Sequence, residues 1–461
     1  MGSSHEANWD RLGEFVSEAM QLKGVPGVAL GILHKGETRA AGFGVTNVDH
    51  PLPVTDETLF QIGSNTKTFT GTLIMQLVEM GKIDLDATVR TYVPEFKVAD
   101  ETVSAQATIR HLLTHVGGWT GDFFHDTGPG GDAMQKYVAE MADLEQLAPL
   151  GTVWSYNNSG FYLAGYIIER VTGKSYEAAL KDMVLEPLGM QHSFFDPGDV
   201  ITHRFAVGHN VGPQGAMVAR PWPLPRAAWP AGGIACDVHD LLRYSGFHMG
   251  DGTIKDGAPS KDGEQLLKAE TLSLMQTPQT TVWNDATRGL SWALQDVDGT
   301  RLVFHGGGTM GQVSQMMLIP AHEFAIVVFT NADQGGFITQ EAVRWALQEY
   351  LDVKMPKPEP IEASEEELAA FVGTYSRPMM DIETGMLGGR LIAQMTYKAG
   401  FPSKDSPPPP PPPPVTLGLC EKDRLIILDG MMKDMTADVI RNADGSIGWI
   451  RAGGRIHKRQ G

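Results

Sequence analysis

The hexapeptide Ile62-Gly63-Ser64-Asn65-Thr66-Lys67 stands at the start of the most clearly predicted helix of this chain. Ser64 is a residue type that favours the N-cap position, and Gly81 is typical of a helix end. Between them, apolar residues recur at helical spacing: Phe69, Leu73, Leu77 and Met80. The stretch therefore predicts a helix that begins at Ser64 and ends before Gly81.

Ser64 and Lys67 are three residues apart, which places both side chains on one face of the predicted helix. The first turn of a helix also carries free backbone N–H groups and the positive end of the helix dipole. A covalent serine catalyst needs this combination of a nucleophile, a nearby proton acceptor and donors for an oxyanion. Ser-x-x-Lys is a short pattern, however, and on this motif alone a capping serine beside a solvated lysine is the favoured explanation.

The composition of the chain excludes several classes of partner. Hydrophobic residues make up 42% of the 461 residues and charged residues 20%, as in ordinary globular proteins. The formal net charge of −18 argues against nucleic acid and against anionic membranes, because either would require a basic surface. Two distant cysteines, Cys236 and Cys420, are expected to be free thiols. We therefore expect a small-molecule substrate, and assembly into a homo-oligomer is left open.

The first residues carry neither a basic segment nor an apolar core typical of a signal peptide. We therefore expect a cytoplasmic location, or a periplasmic or secreted one if the natural N-terminus was replaced. No apolar run reaches the length needed to cross a membrane.

Two later segments add polar groups beside predicted secondary structure. Tyr156-Asn157-Asn158 precedes an apolar helix that Gly173 ends, and a buried tyrosine beside a cation can act as a base. His305-Gly306-Gly307-Gly308 follows a predicted strand, and its glycines permit close approach of a ligand to the backbone. A capping turn and a glycine-rich hairpin are the plain alternatives. His111 and His115 have the spacing of a metal pair, but no third ligand is evident and a structural role is favoured.

Residues 209–235 are rich in Pro, Gly, Trp and Arg and show no periodicity, which predicts a long loop. Residues 354–363 are predicted to form a proline-rich linker, followed by an N-cap at Ser364. Beyond it, six short predicted strands with turns indicate a small β-barrel or sandwich, interrupted by eight prolines at 407–414. The predicted units are 1–353, the linker 354–363, and an all-β domain over 364–461.

The order of these motifs resembles the serine β-lactamase and penicillin-binding-protein superfamily, in its class C-like branch of esterases and D-aminopeptidases. The resemblance covers roughly residues 10–350, and the all-β tail is similar to the lipocalin-like appendage of some family peptidases. Family-like neighbours support it: His111-Leu112-Leu113-Thr114-His115, Pro187-Leu188-Gly189-Met190 and Pro230-Ala231-Gly232-Gly233. It implies an α+β fold, with an antiparallel sheet flanked by helices and a helical region, and a small C-terminal all-β barrel.

The resemblance also implies a serine hydrolase that forms an acyl-enzyme on ester, lactone or amide bonds, with no cofactor or metal. Ser64 would be the nucleophile, and Lys67 and Tyr156 would take its proton as a coupled pair. Asn158 would orient Lys67 or the substrate, and the backbone N–H groups of Ser64 and Gly308 would form the oxyanion hole. His305 and Gly307 would complete the substrate-binding strand.

One departure from the family pattern bears on the substrate. Where β-lactamases carry Lys-Thr-Gly, this chain has His305-Gly306-Gly307, so recognition of a carboxylate is expected to be weaker and ester or amide hydrolysis is favoured. The alternative is a β-lactamase or penicillin-binding module that acylates and turns over slowly. An α/β-hydrolase is disfavoured because no Gly-x-Ser-x-Gly occurs.

Overall fold

The computed structural model describes residues 2–255, 257, 261–403 and 405–461. In the body of the molecule, the helices are α1 Gly2–Lys23, α2 Thr66–Glu79, α3 Glu101–Gln106, α4 Ile109–Leu113, α5 Ala133–Glu140, α6 Asn158–Thr172, α7 Tyr176–Leu180, α8 Pro197–Val200, α9 Trp229–Gly232, α10 Val238–Met249, α11 Ala269–Met275 and α12 Gly335–Leu351. Its strands are β1 Gly27–His34, β2 Glu37–Gly44, β3 Phe60–Gln61, β4 Ser193–Phe194, β5 His209–Gly212, β6 Gly215–Val218, β7 Ala235–Cys236, β8 Thr280–Trp283, β9 Ala286–Arg288, β10 Ala293–Val297, β11 Thr300–Thr309, β12 Gln312–Ile319 and β13 Phe324–Thr330.

An eight-stranded antiparallel sheet forms the centre of the body, in the order β2-β1-β13-β12-β11-β10-β9-β8. Strand β1 from the start of the chain pairs with β13 near the end of the body, with Val28 opposite Thr330. Every residue of β13 is buried, as expected for a central strand covered on both faces. The sheet therefore joins the two ends of the body and provides a rigid support for β11, which borders the site.

Helices cover both faces of this sheet and create two apolar cores. On one face α1 and α12 pack together over residues such as Leu12, Val16 and Ile338. On the other face a larger core joins α10 to the helical region that contains α2 and α6. The α+β arrangement of sheet, flanking helices and helical region confirms the fold that the sequence indicates.

The C-terminal part forms a closed eight-stranded barrel preceded by the short helix α13 Glu365–Ala369. Ser364 caps α13 through a reciprocal bond pair with Glu367, as the sequence predicts. The strands pair in sequence order, and β14 closes the barrel against β21, with Tyr375 opposite Arg459. They are β14 Gly373–Arg377, β15 Met380–Leu387, β16 Arg390–Tyr397, β17 Val415–Glu421, β18 Arg424–Ile427, β19 Thr436–Arg441, β20 Ile447–Ala452 and β21 Arg455–Arg459.

The structure corrects several local predictions. Two barrel strands, β15 and β21, were not predicted, and residues 209–235 contain the β5–β6 hairpin and α9 where the sequence predicts a loop. The glycines at 306–308 lie within β11 and not after a strand, because their backbone continues the pairing with β12. Within the described part of the chain, every helix is too short or too polar to cross a lipid bilayer.

Candidate active site

Ser64 lies in a tight 3-10 turn, Gly63–Asn65, immediately before α2. The sequence predicts Ser64 as the N-cap of this helix, but Asn65 occupies that position. The turn requires Gly63, whose φ of +51° is costly for other residues. A Cβ atom on Gly63 would also lie 2.7 Å from the backbone nitrogen of Gly308 on β11. The serine is therefore held on a constrained turn that presses against the glycine-rich strand.

Lys67 occupies the first turn of α2 and is fully buried. Its Nζ atom lies 3.1 Å from Ser64 Oγ and donates to the carbonyl oxygen of Ala231 at 2.6 Å. Burial holds the pKa of Lys67 well below its ordinary value, and the charge of Arg455 lowers it further, against an opposing effect of Asp122. The predicted contact between amine and hydroxyl is therefore present, and burial shifts the protonation equilibrium of the amine toward the neutral form.

Tyr156 borders the same cavity as Ser64 and lies in the segment before α6. Burial raises the pKa of its phenol to about 12, although the neighbouring Ser64 hydroxyl and Arg455 oppose this. Ser64 is near enough to influence the phenol, yet no hydrogen bond of acceptable geometry joins the two oxygens among the described residues. Tyr156 is therefore a protonated phenol at neutral pH, next to the serine and free to donate.

Two basic side chains and a histidine surround the Tyr156 ring. Lys67 Nζ lies 5.0 Å from the ring centroid and the Arg455 guanidinium carbon 4.5 Å from it. His115 stacks on the ring at 4.5 Å and accepts a hydrogen bond from the Asn157 backbone N–H through Nδ1. His111 instead caps α4 at Thr108, so the two histidines of the HLLTH segment serve separate structural contacts.

Asn158 is the first residue of α6, and in the described part of the chain no hydrogen bond joins its side chain to Lys67. Its side-chain amide donates to Asp122 Oδ1 at 2.7 Å. The Asp122 carboxylate also forms ion pairs with Arg377 at 2.9 Å and with Arg455 at 3.1 Å. Burial raises the pKa of Asp122, but the two guanidinium groups outweigh burial and leave this pKa below its usual range. The orienting role predicted for Asn158 thus applies to a carboxylate shared with the barrel.

Strand β11 forms the wall opposite Tyr156 and carries His305, Gly307 and Gly308. Burial lowers the pKa of His305 to about 3, and Lys67 contributes to the shift, so this imidazole is neutral. A Cβ atom on Gly307 would lie 1.9 Å from the carbonyl oxygen of Ile62, whereas Gly308 has room for one. Close approach of β11 to the Ser64 turn therefore requires glycine at 307.

The barrel contributes Arg455 through a two-residue turn. Gly453 and Gly454, both with positive φ, connect β20 to β21 and place Arg455 against the body. The Gly454 carbonyl accepts a hydrogen bond from the Tyr156 backbone N–H at 2.8 Å. A turn of the barrel is thus hydrogen-bonded directly to the segment that carries Tyr156.

Two cavities meet at Ser64. The smaller one, of about 370 Å³, is enclosed by the body and by Arg455, and it includes Arg288, whose guanidinium lies over the Trp154 ring. The larger one, of about 1180 Å³, extends from Ser64 past Asp122 and Arg377 into the barrel. Positive charge in the smaller cavity comes from Arg288 and Arg455 and not from His305.

Sequence reasoning missed Asp122, Arg288, Arg377 and Arg455. The Gly453-Gly454 dipeptide between two alternating segments is a hairpin signal, so the turn itself could have been found. Its position beside Tyr156 could not, because it depends on how the barrel packs against the body. In contrast, the predicted residues around the serine do come together. Lys67 contacts the Ser64 hydroxyl, and the cavity at Ser64 is lined by Tyr156, His305 and Gly308.

An antiparallel sheet with helices on both faces and a serine–lysine turn at the edge of a glycine-rich strand defines a β-lactamase-like α+β protein. A profile of the β-lactamase family matches residues 12–350. The chain belongs to the β-lactamase family.

Curated relatives include penicillin-binding protein 4 of Amycolatopsis lactamdurans, which is 34% identical over 365 residues that cover 77% of this chain and 93% of the relative. Protein flp of Staphylococcus aureus strain MW2 is 26% identical over 324 residues, which cover 68% of this chain and 61% of that protein.

Among solved structures with the same fold, two align over nearly the whole chain, including the barrel, and a third aligns over about three quarters of it. SurE aligns with a TM-score of 0.75 at 24% identity, covering 99% of this chain and 100% of SurE. The octameric penicillin-binding protein homologue from Pyrococcus abyssi aligns with a TM-score of 0.67 at 26% identity, covering 98% and 99%. The D-amino acid amidase from Ochrobactrum anthropi SV3 aligns with a TM-score of 0.61 at 23% identity and covers 74% of this chain and 99% of that one.

Proposed function

We propose that this protein is a serine hydrolase that cleaves ester, lactone or amide bonds through an acyl-enzyme on Ser64. The observation that carries the proposal is the buried Lys67 amine, 3.1 Å from Ser64 Oγ, with its pKa well below the ordinary value. A neutral amine has a lone pair that can accept the hydroxyl proton as Ser64 attacks a carbonyl. Because Lys67 also donates to Ala231, its position relative to the serine is fixed.

Tyr156 has the complementary role in this proposal. With a pKa of about 12 the phenol keeps its proton at neutral pH, so it is a donor toward the leaving group and not a resident base. The backbone N–H groups of Ser64 and Gly308 would stabilise the oxyanion, since the turn and β11 are in contact at that point. Lys67 would then return its proton to the Tyr156 phenolate, which restores both groups. In the second half-reaction Lys67 would accept a proton from the attacking water and pass it to Ser64 Oγ as the acyl group leaves. Esterase or D-amino-acid peptidase activity fits this scheme.

A penicillin-binding or β-lactamase activity is the second candidate. Arg288 and Arg455 border the smaller cavity and supply positive charge for a substrate carboxylate, which His305 cannot do. A relative of 34% identity is named penicillin-binding protein 4. Incubation with a fluorescent penicillin tests this candidate. A stable stoichiometric adduct supports the binding module, steady turnover of the penicillin supports a β-lactamase, and the absence of both supports the hydrolase acting on other acyl groups.

The test of the nucleophile is Ser64→Ala. We expect hydrolysis of p-nitrophenyl butyrate to fall by about 10⁴-fold or more, together with loss of labelling by a fluorophosphonate. Ser17→Ala is the control, because the Ser17 hydroxyl donates to the Gly13 carbonyl within α1. Labelling that persists in Ser64→Ala would refute the assignment.

A further inference from the structure

The larger cavity is a single space that begins at the serine and continues through the interior of the barrel. Ser64, Gly308 and the 209–235 segment of the body border one part of it, and residues of several barrel strands border another part. Its volume of about 1180 Å³ exceeds what most small-ligand pockets offer. An eight-stranded barrel is just wide enough to hold one small ligand inside, so an open interior of this kind fits its strand number.

The interior wall beyond the mouth is predominantly apolar. It is formed mainly by aliphatic and thioether side chains: Ile382, Ala393, Met395, Leu417, Leu425 and Ile450. The polar residue Thr384 is already engaged, since its hydroxyl donates to the Phe371 carbonyl. Such a wall offers water few hydrogen-bond partners and favours apolar contents.

The polar groups of this cavity are concentrated at its mouth and satisfy one another. Asp122 pairs with Arg377 and Arg455 and accepts from Asn158. These four residues line the same cavity as Ser64 and the apolar barrel residues. The proline-rich segment forms part of the rim through Pro407, and Gln394 fixes it by donating to the Pro412 carbonyl.

We propose that the barrel interior binds a linear aliphatic chain attached to the carbonyl that Ser64 attacks, so that the preferred substrates are esters, thioesters or amides with long apolar chains. This inference rests on the proposed hydrolase function and specifies its substrate class. The chain would pass the Asp122 cluster and lie against Ala393 and Met395. Burial of each methylene would raise kcat/KM by up to about four-fold until the interior is filled.

A binding experiment tests the interior without requiring turnover. Ser64→Ala protein is titrated with 11-(dansylamino)undecanoic acid, and fluorescence is followed to saturation. We expect one probe per chain, and at least about ten-fold weaker binding when Ala393→Phe is added to fill the interior. Thr396→Phe is the matched control, since Thr396 lies on the same strand and is exposed. Absence of saturable binding, or equal weakening by both phenylalanines, would overturn the proposal. A second variant, Met395→Ala, should still bind the probe if Ala393→Phe fails to fold.

A kinetic experiment assigns the side of the bond on which the chain lies. The ratio of kcat/KM for decanoate to butyrate is measured with p-nitrophenyl esters, and decyl acetate is compared with butyl acetate. A decanoate-to-butyrate ratio above about ten, reduced by Ala393→Phe and not by Thr396→Phe, supports the proposal. A decanoate-to-butyrate ratio near one contradicts it, and a preference for decyl over butyl acetate alone would place the chain on the leaving alcohol and overturn the acyl-side assignment. If no ester is cleaved, the hydrolase proposal fails, and the probe titration still decides whether the barrel binds the chain.

Discussion

The two sides of the Ser64 site are built in different ways. The side formed by the body takes its reactive groups from one helical turn, with Ser64 and Lys67 three residues apart on a constrained backbone. The side formed by the barrel takes Arg455 from a hairpin turn almost four hundred positions later in the chain. The comparison suggests that the body supplies the bond-breaking chemistry, whereas the barrel adjusts the charge around it and limits what can enter.

The largest effect should come from the body. Lys67→Met removes the amine that would accept the serine proton, and we expect kcat to fall by about 10²–10⁴-fold. Lys67→Arg should not restore activity, because a guanidinium stays charged. The measurement is ester hydrolysis under single-turnover conditions, with Lys136→Met as the control on an exposed ion pair. A Lys67→Arg enzyme of wild-type rate would contradict the proton-transfer role.

The contact between β11 and the serine turn gives the next effect. Gly307→Ala would place Cβ against the Ile62 carbonyl and force the strand away, which also displaces the Gly308 N–H. We expect kcat to fall by about 10²–10³-fold, as for loss of an oxyanion donor. Gly385→Ala on β15 is the control, since a Cβ there meets no neighbour within 4 Å. Equal rates for the two variants would show that this contact does not position the site.

The barrel should affect the site through charge. The positive charge of Arg455 lowers the pKa of Lys67 and the carboxylate of Asp122 raises it. Because Lys67 must lose its proton to act, kcat/KM rises with pH through its pKa. In a plot of kcat/KM against pH, Arg455→Met should therefore move this rising part, the acid limb, to higher pH. Asp122→Asn should move it to lower pH. We expect about ten-fold lower activity near the wild-type midpoint for Arg455→Met.

The check is a pair of pH–rate profiles, with Arg441→Met as the control because Arg441 pairs with Asp423 on the barrel surface. Shifts in the same direction for Arg455→Met and Asp122→Asn would rule out an electrostatic link. His305 should not contribute to the limb, since its pKa of about 3 keeps it neutral over the working range.

The smallest effect concerns the contact that joins the two parts. Trp449 on β20 donates its indole N–H to the Leu147 carbonyl of the body at 2.9 Å. Trp449→Phe keeps most of the apolar contact and removes one hydrogen bond, so we expect the free energy of unfolding to fall by about 1 kcal/mol. Urea denaturation measures it. A change in kcat/KM larger than the change in stability would mean that this contact also shapes the site.

Much of the body could be predicted because its signals are local. Apolar periodicity predicted α2, and residue spacing predicted the contact between Ser64 and Lys67. The prediction of an N-cap at Ser64 was wrong because Gly63 adopts a positive φ and inserts a 3-10 turn before the helix. The contact of β11 with that turn, and with it the need for Gly307, depends on pairing between segments far apart in the chain.

By itself, the sequence determined helix α2 and the placement of Ser64 beside Lys67, because helical spacing and turn residues are properties of short segments. The α+β class, the choice of a barrel and the other predicted site residues came from the resemblance of the ordered motifs to a known superfamily. Only the tertiary structure decided that burial lowers the pKa of Lys67, and that Asp122 joins Asn158 to two arginines of the barrel. Burial and long-range charge are sums over neighbours that the chain brings together in space, and no local pattern records them.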